Sequence, residues 1–357
     1  MKRKLIFLTT ALIFIISLTS CMLGNSSKPD NSDQPSTPEI PSEPSTPTNP
    51  DKPSTPAKPD KLNGYFFDGT SATSGDGTIE NPYNNLSYIK TLDLNLKHNI
   101  YLKRGSKFRG SIELSNASGT EKDKILITSY GDGELPIIDG NDKVGDAVVS
   151  LKNCNNITIS NLEIFDSSTT EADRRGVLIL GNNPNNNSKI ITYSNITLDG
   201  LYIHDINGIT DKENSGMSAE SKKTGGIHFG SLDGKAKFDN LIIKNCKIKN
   251  VSNVGIASWY KFGSTSNKVS PYSDKFKDTA YTNILIENND ISYIGKNAIF
   301  VRNLLGGYVK NNVVYETAIK CISGNSIVTS YVDGTVIEYN EGYYNRASAK
   351  SDGKIQD

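Results

Sequence analysis

The stretch Ile286-Glu287-Asn288-Asn289-Asp290-Ile291, with its successor Val309-Lys310-Asn311-Asn312-Val313-Val314, decides the fold. Each reads as a short strand, a sharp turn at the paired Asn, and the start of a second strand. The phrase also occurs at Ile159–Ile164, Leu198–Ile203, Ile243–Ile248 and Ile337–Gly342, with successive spacings of 39, 45, 43, 23 and 28 residues. A coil close to the shortest of these spacings, lengthened by loops in some copies, accounts for the intervals. One such unit cannot bury its apolar face alone, so the units must stack. Alternating Ile, Val and Leu supply interior ladders, and Asn tolerates the left-handed backbone of a corner. The expected architecture is all-β, a parallel β-helix solenoid. Asn289, Asn312 and Asn340 share one register and are expected to stack as an Asn ladder.

The chain of 357 residues carries 39 basic and 39 acidic side chains. This balance gives none of the basic footprint of a nucleic-acid binder. Hydrophobic content is 36%, low for a globule but suited to a solenoid that buries one narrow apolar tube.

Residues 1–20 read as a signal peptide. Lys2-Arg3-Lys4 is a positive opening, and Leu5 to Leu18 is an apolar run too short for a membrane span. The segment ends in Leu18-Thr19-Ser20-Cys21, which resembles the lipobox of bacterial lipoproteins. The resemblance implies lipidation of Cys21 and cleavage before it, with two or more acyl chains giving a stable anchor. Met22 offers no inner-membrane retention signal, so the expected location is the bacterial envelope, facing outward, on the outer membrane if there is one. Residues 21–61 are then the lipidated Cys and a stalk. Prolines recur there every third residue from Pro35 to Pro59, which places them on one edge of a polyproline II rod of roughly 75 Å.

Residues 62–357 form the expected β-helix domain. Leu86, Ile89, Leu92, Leu94 and Leu96 place an apolar face on a short helix over 84–96, an N-terminal cap for the tube. Strands are expected at 100–103, 125–129, 137–139 and 147–151. Cys246 takes the register of Leu162 and Leu201, and Cys321 that of Ile179, Phe229 and Val301. Both read as small interior fillers rather than ligands or disulfide halves.

Tyr101–Gly105, Ile125–Gly131, Pro136–Gly140, Ala172–Gly176, His204–Gly208 and Gly225–Phe229 together resemble the pectate-lyase-like superfamily of right-handed parallel β-helix proteins. The resemblance covers nearly all of residues 62–357 and implies carbohydrate-active function as a class. That class includes polysaccharide lyases, glycoside hydrolases and members without demonstrated chemistry; fold alone does not choose among them. Relatives of this kind usually continue past the point reached by Ser351–Asp357, so the domain is expected to be incomplete at its C-terminus.

Superposing the coils puts Val177, Ile227, Ile256, Ile299 and Ile319 in one inward column. Leu178, His228, Ala257, Phe300 and Lys320 then point outward. Insertions at 166–173, 208–224 and 260–280 border this face and make a groove suited to an extended polysaccharide. A lyase acting on a uronate polymer needs a base and a cation, Arg or Ca²⁺, for the developing charge. Arg174, Arg175, His204 and His228 are the catalytic candidates. Asp173, Asp205, Trp259, Arg302 and Lys320 are the substrate-binding candidates, with Asp173 and Asp205 able to hold a metal or orient a base. Apart from that Ca²⁺, no cofactor is called for.

Each has a plainer role. Arg174 and Arg175 would tie a loop down, His204-Asp205 would cap a turn, and Trp259 would pack the loop it opens. His98 lies in the cap region, and Asn182–Asn187 lack the carboxylates of a Ca²⁺ site. Hydrolysis would instead need two carboxylates, drawn from Asp166, Asp173, Asp205, Asp352 and Asp357. Lyase-type β-elimination of a polysaccharide is the favoured expectation. A non-catalytic glycan- or matrix-binding surface lipoprotein, or a truncated inactive relative, is the alternative.

Overall fold

The strands turn where Asn can adopt positive φ. The computed structural model describes residues 62–94, 99–185, 187–210, 223–259, 273–321 and 324–346. The chain divides into two units, Met1–Lys58 and Pro59–Asp357, and every described residue belongs to the second. The signal peptide, Cys21, the stalk, His98, Tyr260, Asp352, Asp357 and the rest of the closing stretch lie outside the described residues.

One corner of the coil is held by Asn161, Gly200, Asn245, Asn288 and Asn311, all with φ between 54° and 64°. A second is held by Asn156, Asn195, Asn240 and Asn283. A third column contains Asp205, Asn250, Tyr293, Glu316 and Tyr344, with φ between 51° and 55°. Asn and Asp reach this region because the short polar side chain bonds locally. Between the corners run parallel ladders that join successive coils into a 17-stranded and an 8-stranded sheet. They wind as a right-handed parallel β-helix.

The interior follows from alternation. Along the second sheet Phe108, Ile138, Ile164, Ile203, Ile248, Ile291 and Val314 stack in register, each 2% exposed or less. Beside this ladder, the expected Asn stack is present. Asn289 Nδ2 donates to Asn312 Oδ1 at 2.8 Å, and Asn312 Nδ2 donates to Asn340 Oδ1 at 2.9 Å. Each carboxamide also donates to a backbone carbonyl of the preceding coil. Cys246 continues the column, its backbone N–H donating to Asn289 Oδ1. Burial pushes the Cys154 thiol up to about 11 and that of Cys246 up to about 12, so both are inert fillers.

Several details differ from the sequence reading. The cap is a 3-10 helix, Leu86–Thr91, started by Asn85 and burying Leu86 and Ile89; residues 95–98 lie outside the described part. Short strands Lys107–Arg109 and Ile112–Ser115 and the helix Asp274–Thr279 were not expected. The inward column does not end on Ile319: Ile299 pairs with Ile327, and the outward neighbour of Phe300 is Val328. The backbone of 318–320 instead folds onto Ile294, Gly295 and Lys296, with Ala318 at φ 59°. Lys320 therefore leaves the outward column. Cys321 is buried, but Thr329 occupies the place beside Val301 that was assigned to it.

Candidate active site

On the outer face of the larger sheet, Glu113, Ser150 and Leu178 stand in one row across three coils, and Ser115, Lys152 and Leu180 in the next. These rows floor an open cavity of about 380 Å³ whose walls include Asp146, Asp173, Arg175 and Lys223. That volume falls in the roughly 300–1,000 Å³ range of ligand sites. Three carboxylates and three cations thus surround a floor that Leu178, Leu180 and Leu232 make partly apolar.

Arg175 organises the rim. Its Nη2 donates to Asp173, its Nη1 to the Asp146 carbonyl at 3.1 Å, and its Nε to the Lys223 carbonyl. The Gly145 N–H donates to the Asp173 carbonyl at 2.7 Å. One guanidinium fork therefore sets the place of residue 146 against the carboxylate of Asp173. Glu113 accepts from Lys143 at 2.6 Å and from Ser111, and pairs with Lys90. The Lys143 and Ser111 bonds hold its carboxyl down at about 2. The Asp173 side chain stays 37% exposed, open to a ligand.

Arg174 points the other way. It is 1% exposed and donates to Asp142, to the Thr170 carbonyl at 2.7 Å and to the Asn207 carbonyl at 2.9 Å. Its guanidinium ties three chain segments together. Beneath it lies Asp166, fully buried, whose Oδ1 accepts from the Asp142 and Lys143 N–H groups. Burial pushes the Asp166 carboxyl above its ordinary value.

His228 occupies the row of Leu178 and Ala257 and is completely buried. Trp259 and Arg302 share the next row. Trp259 is 1% exposed, packs with Val254, Ala257 and Phe300, and carries the Arg302 guanidinium 5.3 Å over its ring. Arg302 also donates to Ser330 at 2.8 Å, and burial lowers its pKa.

The His204-Asp205 pair lies on the second sheet. Backbone turning at Asp205 (φ 51°) overcomes the alternation that should separate the two side chains. His204 Nδ1 lies 2.7 Å from Asp205 Oδ2, and Nε2 lies 3.1 Å from Glu163 Oε1. Its ring stacks between Tyr202 and Phe165. Burial works to raise the Asp205 carboxyl, but bonds from His204 and Asn250 outweigh it and leave the pKa below the ordinary value. Lys320 joins this region, 3.1 Å from Ser252 Oγ and 3.6 Å from Glu171.

The expected candidates therefore divide among three places rather than one groove. Asp173 and Arg175 face the cavity on the larger sheet. Arg174, His228, Trp259 and Arg302 are buried. His204, Asp205 and Lys320 border the second sheet. Asp173 and Asp205 line separate cavities. Among the described residues no cluster of three or more His, Cys, Asp or Glu could hold a metal ion. Glu113, Asp146, Lys152, Lys223 and Glu163 were missed. The alternation Ile112-Glu113-Leu114 was the available signal for Glu113; the others carry none.

The fold is a parallel β-helix. No family model matches the chain. The chain is 26% identical over 343 residues to a lacto-N-biosidase of Bifidobacterium longum subsp. longum, covering 76% of this chain and 19% of that protein. It also resembles the solved GH136 lacto-N-biosidase of Eubacterium ramulus, with a TM-score of 0.63 and 22% identity. That match covers 78% of this chain and 56% of the other. The chain thus spans about half of the solved relative and about a fifth of the curated one. A pectate lyase superposes more loosely, with a TM-score of 0.40 and 14% identity.

Proposed function

We propose that this β-helix binds a glycan and hydrolyses a glycosidic bond in the cavity around Arg175, with lacto-N-bioside substrates the first to test. The observation that carries the reading is that Glu113, Asp146 and Asp173 line one open cavity. The relatives named as lacto-N-biosidases, one of them GH136, support it. They weigh toward hydrolysis and against the β-elimination expected from sequence, as does the burial of Arg174 and His228.

Glycoside hydrolysis needs one carboxylic acid to protonate the leaving oxygen and one carboxylate to attack the anomeric carbon or activate water. Asp173, paired with Arg175, is suited to the carboxylate role. Asp146 faces the same cavity with its backbone carbonyl fixed by the same guanidinium, and it is the assigned acid. Glu113, held ionised by Lys143, adds negative potential where the oxocarbenium-like charge develops. Lys152 and Lys223 would bind hydroxyls on either side.

The test incubates the folded protein with a chromogenic lacto-N-bioside and with neutral and uronate polysaccharides. Reducing ends and the ultraviolet absorbance of the unsaturated bond made by β-elimination are followed together. Reducing ends without that absorbance are expected, and Asp173→Asn should lower the rate about 10²- to 10⁴-fold. Growth of the absorbance would return the chemistry to elimination. Silence in both would leave glycan binding without cleavage.

We also propose that Cys21 anchors the chain in the bacterial envelope, with the Pro-rich segment as spacer. The lipobox-like Leu18–Cys21 supports this.

A further inference from the structure

The third corner column places bulky residues, Tyr293, Glu316 and Tyr344, where the backbone favours a small polar one; Tyr293 is the one that lines a cavity. Asp205 and Asn250 precede Tyr293 in that column, and Tyr293 has φ 55°. A left-handed backbone is costly for an aromatic residue, and such strain persists where the surroundings impose it, often at functional positions. Burial does not account for it, because Tyr293 is 44% exposed. Its ring instead faces an open cavity of about 410 Å³, lined also by Tyr202, His204, Asp205, Lys249 and Asn250.

Asp205 and Asn250 also line an adjoining cavity of about 260 Å³, with Asn207, Ser252 and Lys320 on its far side. The two form one trough across the corner, running over successive coils. It offers the exposed Tyr293 ring, the edge of the His204-stacked Tyr202 ring, and a row of carboxamide, carboxylate and hydroxyl groups. Asn250 Nδ2 donates to Asp205, and Ser252 Oγ donates to Asn207 Oδ1 at 2.9 Å, so these groups are already oriented. Charge is balanced: Lys249 lies over Tyr293 and close to Asp205, and Lys320 pairs with Glu171.

We infer that this trough is a second carbohydrate-binding site, distinct from the Arg175 cavity, that holds a neutral glycan chain without cleaving it. Aromatic faces take the apolar side of a sugar ring, while fixed carboxamides and carboxylates take its hydroxyls. The balanced charge selects a neutral chain over a uronate polymer. The inference rests on the carbohydrate reading above, but not on catalysis at the other cavity.

Affinity gel electrophoresis of the full chain through immobilised poly-N-acetyllactosamine tests it, with hydrolysis of the chromogenic lacto-N-bioside read in parallel. Tyr293→Asn suits the left-handed backbone, so it removes the ring without disturbing the corner. Combined with Tyr202→Ala, it should weaken retention at least about tenfold and leave hydrolysis of the small substrate unchanged. Tyr293→Asn alone should weaken retention in the same direction while the unfolding temperature holds or rises, because Asn relieves the backbone strain. Asp173→Asn should do the reverse, losing hydrolysis and keeping retention. Retention of the wild type without hydrolysis, abolished by the tyrosine variants, upholds this site and sinks the hydrolase reading. Retention lost in Asp173→Asn but kept in the tyrosine variants overturns the second site. So does hydrolysis by a wild type that the polymer does not retard, or stronger retention by polygalacturonate than by the neutral chain.

Discussion

Asn312 is fully buried, and its carboxamide and backbone make hydrogen bonds to the coils on both sides. Replacement by Ala strips partners from the Asn289 N–H groups, the Ile286 carbonyl and Asn340 at once. Unsatisfied buried groups are expensive, so Asn312→Ala should destabilise by about 3 kcal/mol, read by urea denaturation. Single carboxylates also set the response to acid. Bonds from Lys143 and Ser111 hold Glu113 at about 2, against an ordinary 4.5. Burial works to raise Asp68, but bonds from Lys103, Thr70 and Ser106 outweigh it and bring it to about 2, against 3.8. Both values are depressed on folding. Their stabilisation is therefore fully present above the unfolded values and lost as pH falls through the folded ones. The urea midpoint should drop between pH 4.5 and about 2, and Glu113→Gln should flatten part of that fall. Asp166 has the opposite sign: its raised pKa gives stability below 3.8 that is lost as pH climbs through the folded value.

Most strands of the second sheet contribute an Ile or Val to the interior ladder, so a coil depends mainly on the two it touches. Ile203 packs between Ile164 and Ile248 with no exposure. Ile203→Ala should cost about 3–4 kcal/mol. In a solenoid the loss is local. Hydrogen exchange should therefore quicken in Glu163–Asp166, Tyr202–Ile206 and Lys247–Val251, while Ile299–Leu305 keeps its protection. Uniform loss across all coils would show that the helix unfolds as one unit. The same element logic explains the misplaced Ile319. Its apolar character suited a strand, but Ala318 turns the chain away and Ile327 takes the position.

At the scale of the whole molecule, the proposed envelope anchor and the two glycan sites predict a protein that works while attached. Cys21→Ser should move the protein from the membrane fraction to the soluble fraction of cells. The β-helix should keep its unfolding temperature, because Cys21 belongs to the other unit of the chain. An unchanged distribution between fractions would remove the anchor.

The repeated phrase by itself determined the parallel coil, the corner at its Asn-rich pair and the Asn289–Asn312–Asn340 ladder; the other two corners lie outside it. What the phrase determined depends on local backbone preference and on a period that one chain segment shares with the next. The candidate site was only partly legible. Asp173 and Arg175 were named, but Glu113, Asp146 and Lys223 come from other coils, and no spacing relates them to Asp173. The burial of Arg174, His228 and Trp259 was likewise beyond the sequence, because a polar residue reads the same whether it faces water or carbonyls of adjoining coils. Which carboxylates meet in one cavity, and which aromatic rings line a trough, was decided only by stacking. It brings residues dozens of positions apart within a strand spacing of each other, and that juxtaposition has no signature along the chain.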